Sequence, residues 1–208
     1  MPLIPPLIEL ASQIRARARL RDGVAIVAID GRSGAGKSTV AAAVAERVGA
    51  TVVPSDDFFA ASITDREWES KSPEQRAGDA IDWKRLRRDA LVPLRAGKAA
   101  RWVAFDFVAR KLADGSWPLA QEPTERSPAS IVIVEGAYSS RPELADLLDL
   151  TVLIQAPAAV RQARIAARED PSFLIAWHAR WDAAEDYYFR SVRPPSAFDL
   201  VDGSGEDG

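Results

Sequence analysis

The sequence predicts an α/β fold, a parallel sheet flanked by helices, and three observations predict it. The apolar runs Val24–Ile29, Ile131–Val134 and Thr151–Gln155 have the composition of strands buried on both faces. Helix-forming segments alternate with such strands, which in a single sheet calls for right-handed crossovers. Between the first strand and the helix that follows it stands Gly31-Arg-Ser-Gly-Ala-Gly-Lys-Ser38, which fits the phosphate-binding pattern G-x-x-x-x-G-K-[ST].

A helix is expected from about Leu7 to Leu20; Arg15, Arg17, Arg19 and Arg21 fall at steps of two, scattered around it as a solvated surface. Val24–Ile29 is rich in β-branched residues and opens the sheet after the Asp22-Gly23 turn. Ser38–Val48 is rich in alanine and valine and stops at Gly49, a helix with its terminator. Thr51–Pro54 reads as a second strand, ending at Ser55-Asp56-Asp57. From 58 to 130 the pattern loosens. It holds an amphipathic helix at Trp83–Leu94 ending by Gly97, and a hairpin of Arg101–Val108 and Ser116–Gln121 about the Asp114-Gly115 turn. This segment is expected as an insertion covering the acceptor site of one domain that spans the chain. Ile131–Val134 ends in Glu135-Gly136, Thr151–Gln155 leads into a helix from Ala158 to Arg168, and Ala197–Val201 is a last short strand.

Composition excludes several chemistries. With 208 residues, 47% hydrophobic and 27% charged, the chain is ordinary globular material with one substantial core. A net charge of -3 argues against a nucleic-acid surface. The absence of cysteine removes thiol catalysis and thiolate metals, and a lone histidine, His178, argues against a histidine zinc site. No run is long enough to cross a bilayer, and prolines and Glu9 interrupt the N-terminal apolar stretch, so a cytoplasmic protein is expected.

In the phosphate loop, Gly31, Gly34 and Gly36 let the backbone turn so that N–H groups from Ser33 through Thr39, Ala35 included, converge on phosphate oxygens. The following helix adds its positive end. Lys37 reaches the terminal phosphates and the Ser38 hydroxyl binds Mg²⁺. Three further features separate a kinase from a GTPase or motor. A carboxylate of Asp56-Asp57, at the end of the second strand, accepts a hydroxyl proton or merely caps a turn. Glu135 holds the Mg²⁺ shell, orients the base, or is structural. Arg161, Arg164 and Arg168 share a helix face, either as a lid over the transferring phosphoryl group or as a solvated basic face. No N-K-x-D stretch for guanine recognition is present.

Taken together, Ile29–Thr39, Ser55-Asp-Asp-Phe-Phe59, Ile131-Val-Ile-Val-Glu-Gly136 and the Arg161/Arg164/Arg168 helix resemble the uridine kinase-like family of P-loop kinases, over about Gly23 to Asp202. The resemblance implies a three-layer α/β/α P-loop fold with a five-stranded parallel sheet and a lid at about 161–171. It implies ATP and Mg²⁺, and a small-molecule hydroxyl as acceptor. It places the catalytic base on Asp56, Glu135 near Mg²⁺, Phe59 at the family's substrate-side tyrosine, and Arg164 and Arg168 on the lid. Asp79 or Asp82 falls near an aspartate that binds ribose hydroxyls. Phe105 and Arg110 replace a tyrosine and a histidine with which uridine kinases read the base. That exchange trades a hydrogen-bonding pair for an apolar ring and a fixed charge, which disfavours uracil and favours an anionic acceptor. Asp57 assists Mg²⁺, touches substrate, or is solvated.

Two rival functions follow: a kinase on a pantothenate-, glycerate-, sugar-like or natural-product hydroxyl, or a nucleotide-binding regulator without transfer activity. A homo-oligomer is compatible with either. Trp177, Trp181, Glu185 and Tyr188 recur at helical spacing and are read as packing.

Overall fold

A computed structural model describes residues 5–167 and 171–202. Its strands are β1 (Ala25–Asp30), β2 (Thr51–Pro54), β3 (Ala100–Trp102), β4 (Thr124–Arg126), β5 (Ile131–Glu135), β6 (Leu150–Ile154) and β7 (Leu200–Asp202). Five of them form a parallel sheet in the order β2-β5-β1-β6-β7, and β3 pairs antiparallel with β4. The helices are α1 (Pro5–Arg19), α2 (Lys37–Val48), α3 (Asp65–Ser70), α4 (Pro73–Asp79), α5 (Trp83–Arg85), α6 (Val92–Arg95), α7 (Ala158–Ala166) and α8 (Pro171–Tyr187).

Every residue of β1, β5 and β6 is buried, which explains their continuous apolar runs. Alternate side chains leave opposite faces. Val27, Ile29, Ile131 and Ile133 pack on Leu10, Ile14, Ala41 and Val44 of α1 and α2. Ile26, Ala28, Val132 and Val134 pack with Phe58, Trp68, Leu86, Leu91 and Tyr188 on the other side. The result is the expected three-layer α/β/α sandwich. Each fully buried valine or isoleucine in it contributes roughly 1.5–3 kcal/mol.

The sheet order makes β1 the switch point: the chain runs outward through α2 to β2, and later crosses to β6 on the other side. The crevice at such a point is where open α/β sheets bind ligands. Register brings the relevant strand ends together, since Glu135 of β5 lies level with Ile29 of β1 and with Pro54 of β2.

Segment 58–130 contains more helix than expected. Thr64 and Ser72 each accept from the backbone N–H three residues on and receive a side chain back from Glu67 and Gln75, so α3 and α4 both start with capping boxes. The predicted helix after Trp83 is present, capped by Asp82, but passes through a π turn (Leu86–Leu91) before Pro93, whose missing N–H the regular ladder could not use. The expected hairpin arms meet at the antiparallel bridge Phe105–Leu119, with the Ala120 N–H donating to the Ala104 carbonyl at 2.8 Å and the Asp106 N–H to the Pro118 carbonyl at 3.3 Å. The pairing continues outward beyond the expected arms as 100–102 against 124–126. Gly115, at φ 84°, makes the turn. No helix of the described residues is long and apolar enough to cross a membrane.

Candidate active site

The loop between β1 and α2 has the shape its glycines allow. Gly31, Gly34 and Gly36 take φ of 151°, 77° and 103°. A Cβ on Gly34 would stand 2.5 Å from the Arg161 carbonyl oxygen, and one on Gly31 would overlap the carbonyl of Ile154. The loop is thus wedged between β6 and α7. Lys37 is nearly buried, with Nζ donating to the Arg32 carbonyl at 3.1 Å. The first-turn amides of Lys37, Ser38 and Thr39 have no helical carbonyl behind them, so they face the loop as donors. Ala35 is buried beneath this cradle.

Ser38 Oγ donates to Glu135 Oε2 at 3.1 Å. Burial pushes the Glu135 carboxyl above its ordinary range; the neighbouring Asp56 and Asp57 push the same way, opposed by Lys37 and Ser38. A raised folded-state pKa means stability that is present at acid pH and lost as pH rises through that value. Glu135→Gln removes the cost. The metal-free variant should therefore melt at or above wild type at neutral pH, with the difference vanishing on acidification. A lower melting temperature at pH 7 in a thermal scan would contradict this.

Gly136, at φ 137°, explains how a second carboxylate comes so near. Any Cβ there would overlap the Ser55 hydroxyl, and would lie 3.4 Å from Asp56 Oδ1. The turn Ser55–Phe58 is a 3₁₀ helix held from behind. Trp102 Nε1 donates to Asp57 Oδ2 at 2.8 Å, and Arg85 donates to the Asp57 carbonyl at 3.1 Å beneath the Phe58 ring. Ser55 and Phe58 are buried and Asp57 is half-buried, which leaves Asp56 as the exposed member.

Asp56 opens onto a cleft of ≈ 120 Å³ whose wall includes Ser33, Phe59, Tyr138, Trp181 and Glu185. Phe59 meets Trp181 and Phe105 edge-on at 5.5 and 5.1 Å. Glu185 Oε1 accepts from the Ser33 hydroxyl at 2.6 Å and from its N–H at 3.1 Å, so α8 is tied to the phosphate loop. Behind them Asp30 is fully buried. It accepts from the N–H groups of Gly31, Tyr138 and Ser140 at 2.7, 3.0 and 2.9 Å and from the Tyr188 hydroxyl at 2.9 Å.

Of the residues the sequence nominated, the loop, Ser38, Glu135, Asp56 and Phe59 come together. Arg164 joins them at the rim, Nη1 donating to the Gly34 and Ala35 carbonyls at 3.1 and 3.0 Å. Arg168 lies outside the described residues. Asp57 is engaged by Trp102, and Phe105 is buried behind Phe59. Asp79 is exposed and paired with Lys71 at 2.8 Å, while Asp82 caps α5; they flank Ala80 and Ile81, which line the cleft. Arg110 is exposed and is not among the residues that line it. Sequence reasoning missed Asp30, Tyr138 and Glu185. For Glu185 a signal existed in its helical spacing from Trp181 and Tyr188, which was assigned to packing alone.

Residues 26–170 match the phosphoribulokinase/uridine kinase family. A uridine kinase of Borrelia turicatae is 31% identical over 147 residues, covering 70% of this chain and 68% of its own; that of Borrelia duttonii is 29% identical over the same share. Two solved structures share the fold. A protein of Silicibacter sp. TM1040 provisionally described as a fructose transport system kinase has a TM-score of 0.71 at 23% identity, covering 95% of this chain and 98% of that one. A Bacillus stearothermophilus protein provisionally described as a uridine kinase scores 0.65 at 18% identity, covering 94% and 100%. The chain therefore belongs to the phosphoribulokinase/uridine kinase family, and is an ATP-dependent kinase that phosphorylates a hydroxyl of a small molecule.

Proposed function

We propose that the γ-phosphoryl group of ATP passes to an acceptor hydroxyl bound in the cleft, with Asp56 as the base. The observation that supports this most is the position of Asp56, exposed on the cleft between the Glu135 strand end and the Ser33 side of the phosphate loop. Asp56 takes the proton as the acceptor oxygen bonds to phosphorus, while the bond from that phosphorus to the bridging oxygen breaks and ADP leaves with the electron pair. Lys37 and the amides of Gly34 through Thr39 hold the phosphates. Ser38 and Glu135 suit Mg²⁺, a hard cation that takes oxygen ligands and keeps several from phosphate and water. When bound it neutralises charge on the phosphate oxygens. Arg164, already on the loop carbonyls, is the lid arginine placed to cover the transferring group.

The uridine kinase relatives make a ribose hydroxyl the first acceptor to assay. A second reading, a non-nucleoside acceptor, is favoured by Phe105, which is buried against Phe59, Phe107 and Trp117 and offers no hydrogen bond to a base. ADP release on an acceptor panel decides between them. Lys37→Ala should weaken ATP binding by about tenfold or more, since a charged contact to phosphate is lost. Unchanged ATP affinity by calorimetry would overturn the donor assignment.

A further inference from the structure

The cleft beside Asp56 has a second polar wall, for which phosphoryl transfer alone gives no task. Glu185 is 3% exposed, and among the described residues its three hydrogen bonds from protein donors all come from Ser33. A carboxylate offers about four acceptor positions, so Glu185 keeps capacity toward the cleft it lines. Tyr138 is 5% exposed and lines the same cleft, and its hydroxyl has no hydrogen-bond partner among the described residues. Burying a hydroxyl unpaired is unfavourable. Holding a tyrosine at φ 67° is also unfavourable, yet Asp30 clamps its N–H and Tyr188 packs edge-on against its ring at 4.9 Å. The fold thus fixes an unpaired phenol in a cavity, an arrangement that a ligand would complete. The Glu185 and Asp56 charges both act on that phenol. The remaining walls, Phe59, Ile81 and Trp181, are apolar.

We infer that Tyr138 and Glu185 are the acceptor-recognition pair: they hydrogen-bond a second, neutral polar group of the acceptor and exclude acceptors that carry an anionic group. Glu185 takes a donor, and Tyr138 gives or takes one. The fitting ligand is an uncharged polyol with an apolar ring face to lie on Phe59 and Trp181. An anion would sit beside the carboxylates of Asp56 and Glu185, and among the described residues neither lysine nor arginine lines the cleft. Arg32, nearby, is paired with Asp186 at 2.7 Å. The anionic preference suggested by Arg110 thus finds no support in the cleft.

This inference rests on Asp56 being the base, and the test separates the two. The full chain with ATP and Mg²⁺ is assayed for ADP release on matched neutral and anionic acceptors: uridine and orotidine, ribose and ribonate, glycerol and glycerate. Wild type should favour the neutral members by at least about tenfold in kcat/KM. Tyr138→Phe should raise the acceptor KM about tenfold, leave the ATP KM unchanged, and melt no lower than wild type, because only an unpaired hydroxyl is lost. Glu185→Gln should also raise the acceptor KM and narrow the neutral-to-anionic ratio.

A wild-type preference for anionic members overturns the inference. So do two variants whose acceptor KM is unchanged, with ATP KM or melting temperature moving instead, which would mark Glu185 as a strut of the loop. Asp56-dependent turnover with either of those results sinks this inference alone. Absence of turnover on every acceptor, or full turnover by Asp56→Asn, sinks the base assignment and this inference with it.

Discussion

Asp56→Asn is expected to lower kcat by about 10³-fold while ATP binds as before. Asparagine keeps the shape of the side chain and its place in the 3₁₀ turn, so the anchors at Trp102, Arg85 and Phe58 stay intact and the fold should be unaltered. What is lost is the ability to take a proton as the acceptor oxygen attacks. Activity left over reflects positioning and the phosphate loop, which act without a base. Asp57→Asn is the contrast. Its carboxylate receives the Trp102 indole, and the expected result is a lower melting temperature with a far smaller loss of rate. Turnover by Asp56→Asn within tenfold of wild type, measured by ADP release at saturating ATP, would remove Asp56 from the mechanism.

The donor half of this site was legible because its requirements are local. A loop that wraps phosphate needs glycine where φ is positive, a lysine, a hydroxyl, and a strand and helix on either side, all between Ala25 and Val48. Buried parallel strands likewise announce themselves as apolar runs, and β1, β5 and β6 fall within one or two residues of expectation. Glu135 and Asp56 are nominated because strand ends in such sheets gather at one rim, and the two do lie close together there. The acceptor half draws on residues far apart in the chain. Glu185 meets Ser33 across 152 positions, and Tyr138 meets Asp30 across 108. Nothing in the local pattern of either names its partner.

Two misses had signals that went unused. Thr64-Asp-Arg-Glu67 and Ser72-Pro-Glu-Gln75 are capping-box sequences, and they start the two short helices in a stretch read as irregular. The hairpin arms meet at Phe105 and Leu119, but the Asp114-Gly115 turn fixes only its own neighbourhood and does not announce the outer pairing. The strand pairing is set further out, where Ala100 and Trp102 turn inward and are buried. Arg110 is nominated by its position in a motif; it stands exposed, outside the described residues that line the cleft, and a charged side chain on such a loop has no need to face inward.

Asp30→Ala should be the most damaging single change to stability, about 4 kcal/mol, equivalent to roughly 10 °C or more in melting temperature for a chain of this size. Four buried donors converge on this carboxylate, three of them backbone N–H groups that cannot turn toward another acceptor. Burial pushes the Asp30 carboxyl up, and the N–H groups of Ser140 and Gly31, the Tyr188 hydroxyl and Lys37 all pull it down. The carboxylate is therefore tolerated in the core because of these donors, and the donors because of it. Alanine leaves all four unsatisfied and adds a cavity. Asparagine should cost less, because it can turn its oxygen to Gly31 and Tyr138 and let the Tyr188 hydroxyl accept from its amide, which strands only the Ser140 N–H. Tyr188→Phe, losing one donor, should cost least, about 1 kcal/mol. The network also sets the two halves of the active site, since Gly31 begins the phosphate loop and Tyr138 lines the cleft. Any Asp30→Ala protein that still folds should show raised KM for both ATP and acceptor. An order of melting temperatures other than Tyr188→Phe above Asp30→Asn above Asp30→Ala would show that Asp30 does not hold the two halves together.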